Sequence, residues 1–167
     1  LTLMLCKACV KLSFAKPNCD GIALSGILPM RAGLQLAGQK VTVNFGGVIR
    51  VFTLDSKGGA KLGGDAMKLG AKSKNGITFD QTAKFSVKLK GSFAASLADE
   101  GMTGDKDSIS ALRNVLISIM VDEKIYEVNR TLSTQLRQGR PAQQSNSRRT
   151  LEMTVTRRGI DRGAFVL

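Results

Sequence analysis

The sequence predicts an all-β fold, an antiparallel sandwich of seven or eight strands, and three observations support this. Apolar and polar residues alternate with period two from about residue 10 to residue 136. Turn-forming residues interrupt this alternation roughly every ten residues, the spacing of a sandwich. The apolar residues are mainly Val, Ile, Leu and Phe, with one Tyr and no Trp. At 167 residues, the chain is long enough to bury the core of one such domain.

The alternation predicts strands near residues 10–15, 22–28, 41–45, 48–54, 67–71, 84–90, 114–121 and 124–136. Gly26 indicates a bulge, and Gly46–Gly47 and Asp122–Glu123 are two-residue hairpin turns. The hairpins 41–54 and 117–132 share one pattern, which reflects a duplication or a common physical rule. We expect the inward faces to bury Phe14, Leu24, Val43, Phe85, Val87, Leu89, Ile119 and Tyr126.

One segment, from Ser92 to Met102, departs from period two. Phe93, Leu97 and Met102 have helical spacing, Ser92 is a suitable N-cap, and Gly101 is a suitable C-terminal stop. The segment therefore predicts one short helix that crosses between sheets.

Composition divides the chain into an N-terminal lead (1–9), a β-sandwich domain (10–136) and an Arg-rich tail (137–167). The first 136 residues carry 14 Lys and 4 Arg, whereas the tail carries 7 Arg and no Lys. Because residues 138–150 contain no large apolar side chain, we expect the tail to be disordered or to add one strand at Leu151, Met153 and Val155. Its removal should then change the melting temperature by only a few degrees.

The residue types indicate a protein without catalytic residues, cofactor or metal. The absence of His excludes Ser-His-Asp, Cys-His and His-based metal chemistry. Cys6, Cys9 and Cys19 are an odd number, and Cys6–Cys9 is a lone C-x-x-C without the second pair that a zinc site requires.

Two further loop features are candidates for a phosphate-binding or a calcium-binding site. The glycine-rich run 58–64 matches neither phosphate-loop pattern and is better explained as a hairpin loop. Asp55, Asp65 and Asp80 lack the spacing of a calcium loop and are interpreted as turn formers.

The net charge of +12 suits a polyanionic partner. Lysines at even spacing share one strand face, so pairing of 67–71 with 84–90 would create a basic sheet face. The alternative is that exposed lysines protect strand edges from aggregation. The candidate polyanion-binding residues are Lys68, Lys72, Lys84, Lys88, Lys90, Arg148, Arg149, Arg157 and Arg158.

The runs 41–61 (VTVNFGGVIRVFTLDSKGGAK) and 82–102 (TAKFSVKLKGSFAASLADEGM) resemble repeat modules of large secreted or surface proteins of environmental bacteria. The resemblance covers about residues 10–136. It implies an immunoglobulin-like sandwich without catalytic activity, export from a bacterial cell and a longer parent protein. It assigns no functional residue.

Two functions follow as expectations. The first is a non-catalytic structural or adhesive module of an exported protein, located outside the cell or on its surface, with other modules of the same protein or surface polymers as partners. The alternative is a basic nucleic-acid- or polyanion-binding protein. No segment reaches the ~18 apolar residues of a membrane span, and no signal peptide is visible.

Overall fold

The computed structural model describes residues 3–13, 18–99, 102, 112–138 and 149–154; for 134–138 and 149–154 the description covers the backbone alone. These residues contain no helix and twelve strands: β1 Met4–Ser13, β2 Asp20–Met30, β3 Lys40–Phe45, β4 Val48–Thr53, β5 Gly59–Leu62, β6 Asp65–Gly70, β7 Ser73–Lys74, β8 Ile77–Thr78, β9 Gln81–Gly91, β10 Leu112–Val121, β11 Lys124–Gln138 and β12 Arg149–Thr154.

Ten of the strands form one sheet in the order β4-β3-β10-β11-β12-β1-β2-β9-β6-β5, while β7 and β8 pair separately. All neighbouring strands are antiparallel, which confirms the all-β antiparallel class and is consistent with a sandwich. The immunoglobulin-like arrangement is not supported, because the large sheet is continuous. The described strands also outnumber the seven or eight predicted, since β5, β7 and β8 are too short to show alternation.

The two ends of the sheet lie close together. Edge strands β4 and β5 are consecutive in the chain and are joined by the turn 54–58, in which the Asp55 N–H donates to the Gly59 carbonyl at 2.7 Å. Beyond this bond no ladder joins β4 to β5 among the residues described for these strands. The Arg50 Nε–H donates to Asp65 Oδ2 at 2.9 Å and links β4 to the start of β6. We call the line between β4 and β5 the seam.

The core contains the residues that the alternation predicts on the inner face. Leu24, Val43, Phe85, Val87, Leu89, Ile119 and Tyr126 are all buried, as predicted, whereas Phe14 lies outside the described residues. Burial of apolar surface, which stabilises the fold by about 25 cal/mol per Å², is the main force that holds such a sheet around its core.

A β-bulge explains why the sequence pattern missed the start of β1. The pairing with β2 shifts between Leu5 and Lys7, so Cys6 has no partner in the register. Leu3, Leu5 and Ala8 are buried, and the extra residue breaks the period-two spacing between the last two. Opposite Leu5 lies Gly26, where an added Cβ would be 2.2 Å from the Met4 carbonyl oxygen. The prediction of a bulge at Gly26 of β2 is therefore wrong about the strand: the bulge lies on β1, and Gly26 opposite it allows the close approach.

Both predicted two-residue hairpin turns are confirmed. Gly46, Gly47, Asp122 and Glu123 all have positive φ angles, as this turn type requires. The two similar hairpins also pair with each other: Val41, Val43 and Phe45 stand opposite Val121, Ile119 and Ile117. Equivalent positions thus meet symmetrically about the Val43–Ile119 pair, a local twofold arrangement.

The predicted crossover helix is wrong for the described part of its segment, where residues 94–99 form consecutive turns. Phe93, Leu97 and Met102 are buried, as a helix would place them. The carbonyl of Phe93 accepts from the Leu97 N–H, and that of Leu97 accepts from the Met102 N–H. Three buried residues spaced four or five apart fit a run of consecutive turns as well as a helix, so periodicity could not distinguish the two.

Strand β12 lies within the sheet, between β1 and β11. The register pairs its residues 150–154 with Cys9–Ser13 on one side and all six with residues 133–138 on the other. The added strand suggested at Leu151 and Met153 thus occupies an interior position, which changes the expected effect of removing the tail.

The only tyrosine reports on the packing of β11. Burial raises the pKa of Tyr126, and the nearby Asp122 carboxylate adds to this against the opposing charge of Arg31. We expect the phenolate absorbance of the folded protein to appear with a midpoint above about 10, and to return to about 10 in denaturant. The contribution of Tyr126 to stability should be fully present at pH values below its unfolded pKa, and it should be lost as the pH rises through its folded pKa. A native midpoint at or below the denatured one would contradict this packing.

Candidate functional site

The pairing of β9 with β2 and β6 brings the predicted lysines onto one surface. Along β9 the odd-numbered Phe85, Val87 and Leu89 are buried, while the even-numbered residues from Lys84 to Lys90 point to solvent. Lys68 of β6 stands opposite Ser86 and is exposed. The structure therefore places Lys68, Lys84, Lys88 and Lys90 on the same outer face.

Three further lysines, which the sequence-based site did not include, extend this face to five adjacent strands. Lys61 on β5 stands opposite Ala66, which stands opposite Lys88. On β1, Lys7 and Lys11 stand opposite Ser25 and Gly21 of β2. The basic face is defined by Lys7, Lys11, Lys61, Lys68, Lys84, Lys88 and Lys90, all exposed.

The other predicted site residues are elsewhere. Lys72 is exposed beyond the end of β6, where its backbone N–H and carbonyl bind the Gln81 side chain. Arg149 begins β12, but its side chain is not among those described. Arg148, Arg157 and Arg158 lie outside the described residues.

The outward positions of β1, β2, β9, β6 and β5 hold no acidic residue in the part of the chain that the structure describes. Small residues such as Gly21, Ala23 and Ser86 separate the lysines. With strands about 4.8 Å apart and alternate residues about 7 Å apart, neighbouring lysines are roughly 7 to 10 Å apart at Cα. The face ends at β12, where the register places Glu152 opposite Lys11.

Edge protection does not account for these lysines. Strands β1, β2, β9 and β6 all have a neighbour on both sides, so only Lys61 on β5 belongs to an edge strand. Lysines about 8 Å apart repel by roughly 0.5 kcal/mol per pair in water. A face that concentrates lysines among small neutral residues is therefore suited to a ligand that supplies negative charge.

The other half of the outer surface is different. The outward positions of β4, β10 and β11 expose a set of apolar side chains: Ile49, Val51, Leu116, Met120 and Ile125. Thr42 and Asn44 of β3 lie between them in the register. Among the described outward positions of this half, Lys40 on β3 is the one lysine and Glu127 on β11 is acidic, so positive charge is concentrated in the other half of the sheet.

Two buried carboxylates hold the ends of the basic strands. Asp65 Oδ1 accepts the backbone N–H of Lys90 at 2.7 Å, while its Oδ2 accepts from Arg50, whose guanidinium carbon lies 5.5 Å from the centroid of the Phe93 ring. Asp20 accepts backbone N–H groups from Ser13 at 2.7 Å and from Phe93 at 2.6 Å. These bonds fix the backbone on both sides of Gly91, next to Lys90.

A groove of about 610 Å³ opens at the seam beside the basic face. It is lined by Lys61, Lys68 and Lys88 together with Thr53 and Asp55. Asp55 Oδ1 accepts the N–H groups of Lys57 and Gly59, each at 2.8 Å. These bonds, the one from Gly59 most, lower the pKa of Asp55. The groove therefore has three cationic side chains and one carboxylate that stays ionised.

Of the acidic loop residues, Asp55 acts within its own turn, as the sequence predicted, by accepting N–H groups in the turn 54–58. Asp65 and Asp80 instead accept backbone N–H groups from distant parts of the chain, from Lys90 at 2.7 Å and from Ala32 at 3.0 Å. Among the described residues no three His, Cys, Asp or Glu side chains form a group that could hold a metal ion. Cys6 and Cys19 are exposed, Cys9 is half-buried, and all three are free thiols.

Across the described ranges, the structure has no helix long and apolar enough to cross a membrane. Comparisons with protein-family models, curated proteins and solved structures found no match to this chain.

Proposed function

We propose that the domain is a non-catalytic adhesive module whose basic face binds a polyanionic polymer. The observation that supports this is a set of seven lysines on four of five adjacent strands, without an acidic residue among the described outward positions of those strands. The proposal combines the surface-module function expected from the sequence with the polyanion-binding alternative as its mode of action. The setting we propose is an exported bacterial surface protein, with surface polymers as partners.

Charge is the source of affinity in this proposal. Single-stranded nucleic-acid sites normally add aromatic side chains on which bases stack. The aromatic residues of β9 and the following turn, Phe85 and Phe93, are buried beneath the basic face. A ligand of this face is therefore recognised through its negative charges, and its binding must depend steeply on salt.

The test compares two variants with the same change in net charge. The face variant carries Lys84→Gln, Lys88→Gln and Lys90→Gln; the control carries Arg31→Gln, Lys74→Gln and Lys124→Gln, which lie outside the basic face and the groove. Binding of a labelled sulfated polysaccharide is measured at several salt concentrations. If about six charge contacts form, wild-type affinity should fall roughly a thousandfold between 50 and 200 mM salt.

We expect the face variant to bind at least about tenfold more weakly, with a salt slope lower by up to about three contacts. The control variant should stay close to wild type. Equal losses in the two variants would show that net charge matters but the basic face does not. Binding that is insensitive to salt would reject the proposal.

A further inference from the structure

The groove at the seam is shaped by an alternation of large and small residues around Ala66. Its cross-strand neighbours are Lys61 on one side and Lys88 on the other. Lys68, two residues along β6, has Gly59 and Ser86 as its neighbours. Three lysine side chains therefore surround a depression whose floor is a methyl group, a glycine and a hydroxyl-bearing residue. At about 610 Å³ the groove has the size of a small-molecule site.

The groove holds groups of opposite charge. Lys61 and Lys88 flank Ala66, and Lys68 lies two residues along β6, so a sulfate or carboxylate group there would be neutralised. Thr53 and Asp55 also line the groove, and the backbone N–H groups of Lys57 and Gly59 keep the Asp55 carboxylate ionised. Asp55 lies against Gly59, the cross-strand neighbour of Lys68, and the charge of Lys68 also lowers the pKa of Asp55. A carboxylate repels a second anion but accepts hydrogen bonds from hydroxyl groups.

This combination discriminates between polyanions. A nucleic acid has a regularly charged backbone and bases that gain affinity by stacking, yet none of the described residues that line the groove is aromatic. An acidic sugar unit has an anionic substituent at one position and neutral hydroxyls at others, which matches a groove that combines lysines with a carboxylate.

We propose that this groove is the anchoring subsite of the basic face and that it takes one acidic saccharide unit of a polysaccharide. The anionic group lies among Lys61, Lys68 and Lys88, and the sugar hydroxyls face Asp55 and Thr53. The inference rests on the proposed function and adds the ligand class and the place where one unit is held. The remaining lysines of the face then contact the polymer on either side of that unit.

The sharpest variant fills the groove without changing any charge. Ala66→Leu puts a larger side chain on the floor of the groove. Ala23→Leu is its control, because Ala23 is also half-buried on the basic face and also stands opposite Lys88. Ala23 belongs to β2, however, and lies outside the groove. A second pair, Lys61→Gln and Lys74→Gln, removes one charge inside the groove and one outside the basic face. Circular dichroism and thermal melting establish that each variant is folded.

Calorimetric titration uses a sulfated, uronic-acid-containing tetrasaccharide, a neutral tetrasaccharide and a single-stranded oligonucleotide of equal charge. We expect Ala66→Leu and Lys61→Gln each to weaken binding of the sulfated tetrasaccharide about tenfold or more. Lys61→Gln removes one charge-assisted contact, and Ala66→Leu keeps the sugar unit from reaching such contacts. Ala23→Leu and Lys74→Gln should stay within about threefold of wild type, as changes outside the anchoring contacts. The neutral tetrasaccharide should not bind measurably.

Three results would overturn the inference. If Ala66→Leu binds the sulfated tetrasaccharide like wild type while the triple face variant loses the polymer, the groove is not the anchor but polyanion binding stands. If the oligonucleotide binds more tightly than the tetrasaccharide and Ala66→Leu weakens it, the groove takes a nucleic acid. If no polyanion binds at all, both the inference and the proposed function fail.

Discussion

A chain that ends at residue 138 is expected to lose most of its stability, because it lacks β12. This strand pairs with β1 and β11 at eleven registered positions. At a net 0.5 to 1.5 kcal/mol for each hydrogen bond, its loss removes roughly 5 kcal/mol or more, partly offset by the entropy of the released residues. Whole domains are stable by only about 5–15 kcal/mol. Thermal melting should show a fall well above about ten degrees, or no cooperative transition.

The matched control is a chain that ends at residue 154, which keeps both ladders of β12. Its melting temperature is the reference for the shorter chain, so that loss of β12 is separated from loss of residues 155–167. If the two truncated chains melted within a few degrees of each other, β12 would not be part of the cooperative sheet. That outcome would restore the separable tail predicted from composition.

Replacement of Asp20 by alanine is expected to destabilise the domain by about 3 to 5 kcal/mol. Its two carboxylate oxygens accept three backbone N–H groups, from Ser13, Phe93 and Ala94. Asp20 is 5% exposed, so water cannot fully replace these bonds, and each hydrogen bond to a charged group contributes about 1.5–3 kcal/mol. Chemical denaturation should report the loss as a lower midpoint with little change in slope.

Two variants calibrate that result. Asp20→Asn keeps one accepting oxygen and should fall between wild type and Asp20→Ala. Asp99→Ala removes an exposed carboxylate from the same turn region and should change stability by less than about 0.5 kcal/mol. An Asp20→Ala protein within about 1 kcal/mol of wild type would mean that the turn after β9 does not depend on this carboxylate.

Strands with unbroken alternation could be predicted from the sequence. Lys84 to Lys90 alternates without interruption, and β9 lies there with the predicted residues buried. Turn chemistry was equally informative, since Gly46–Gly47 and Asp122–Glu123 both adopt the positive φ angles that the hairpins require. In these cases local residue preference and burial favour the same structure.

Elements that depend on distant partners could not be predicted in this way. Strand β5 has four residues, begins at Gly59 and exists because β6 pairs with it. The buried Phe93, Leu97 and Met102 have helical spacing, but they belong to a turn whose first N–H groups Asp20 accepts. Alternation also shows which side of a strand is buried and not which strand lies beside it, so it could not distinguish one continuous sheet from two.

The same limit applies to the site. The shared face of Lys84, Lys88 and Lys90 follows from period two on one strand, and Lys68 joins it once β6 pairs with β9. Lys7 could not be assigned, because the bulge at Cys6 shifts the alternation of β1. Lys61 could not be assigned either, because the glycine-rich run around it resembles a loop.

The central claim is that a polyanion lies on the basic face, and lysine footprinting tests it most directly. Exposed amines are acetylated with and without a saturating sulfated polysaccharide, and modification of each lysine is quantified by mass spectrometry. We predict strong protection of Lys61, Lys68, Lys84, Lys88 and Lys90, and little change at Lys74 and Lys124, which lie outside the basic face and the groove. Equal protection of both sets, or protection confined to the second set, would contradict the assignment of the basic face as the binding surface.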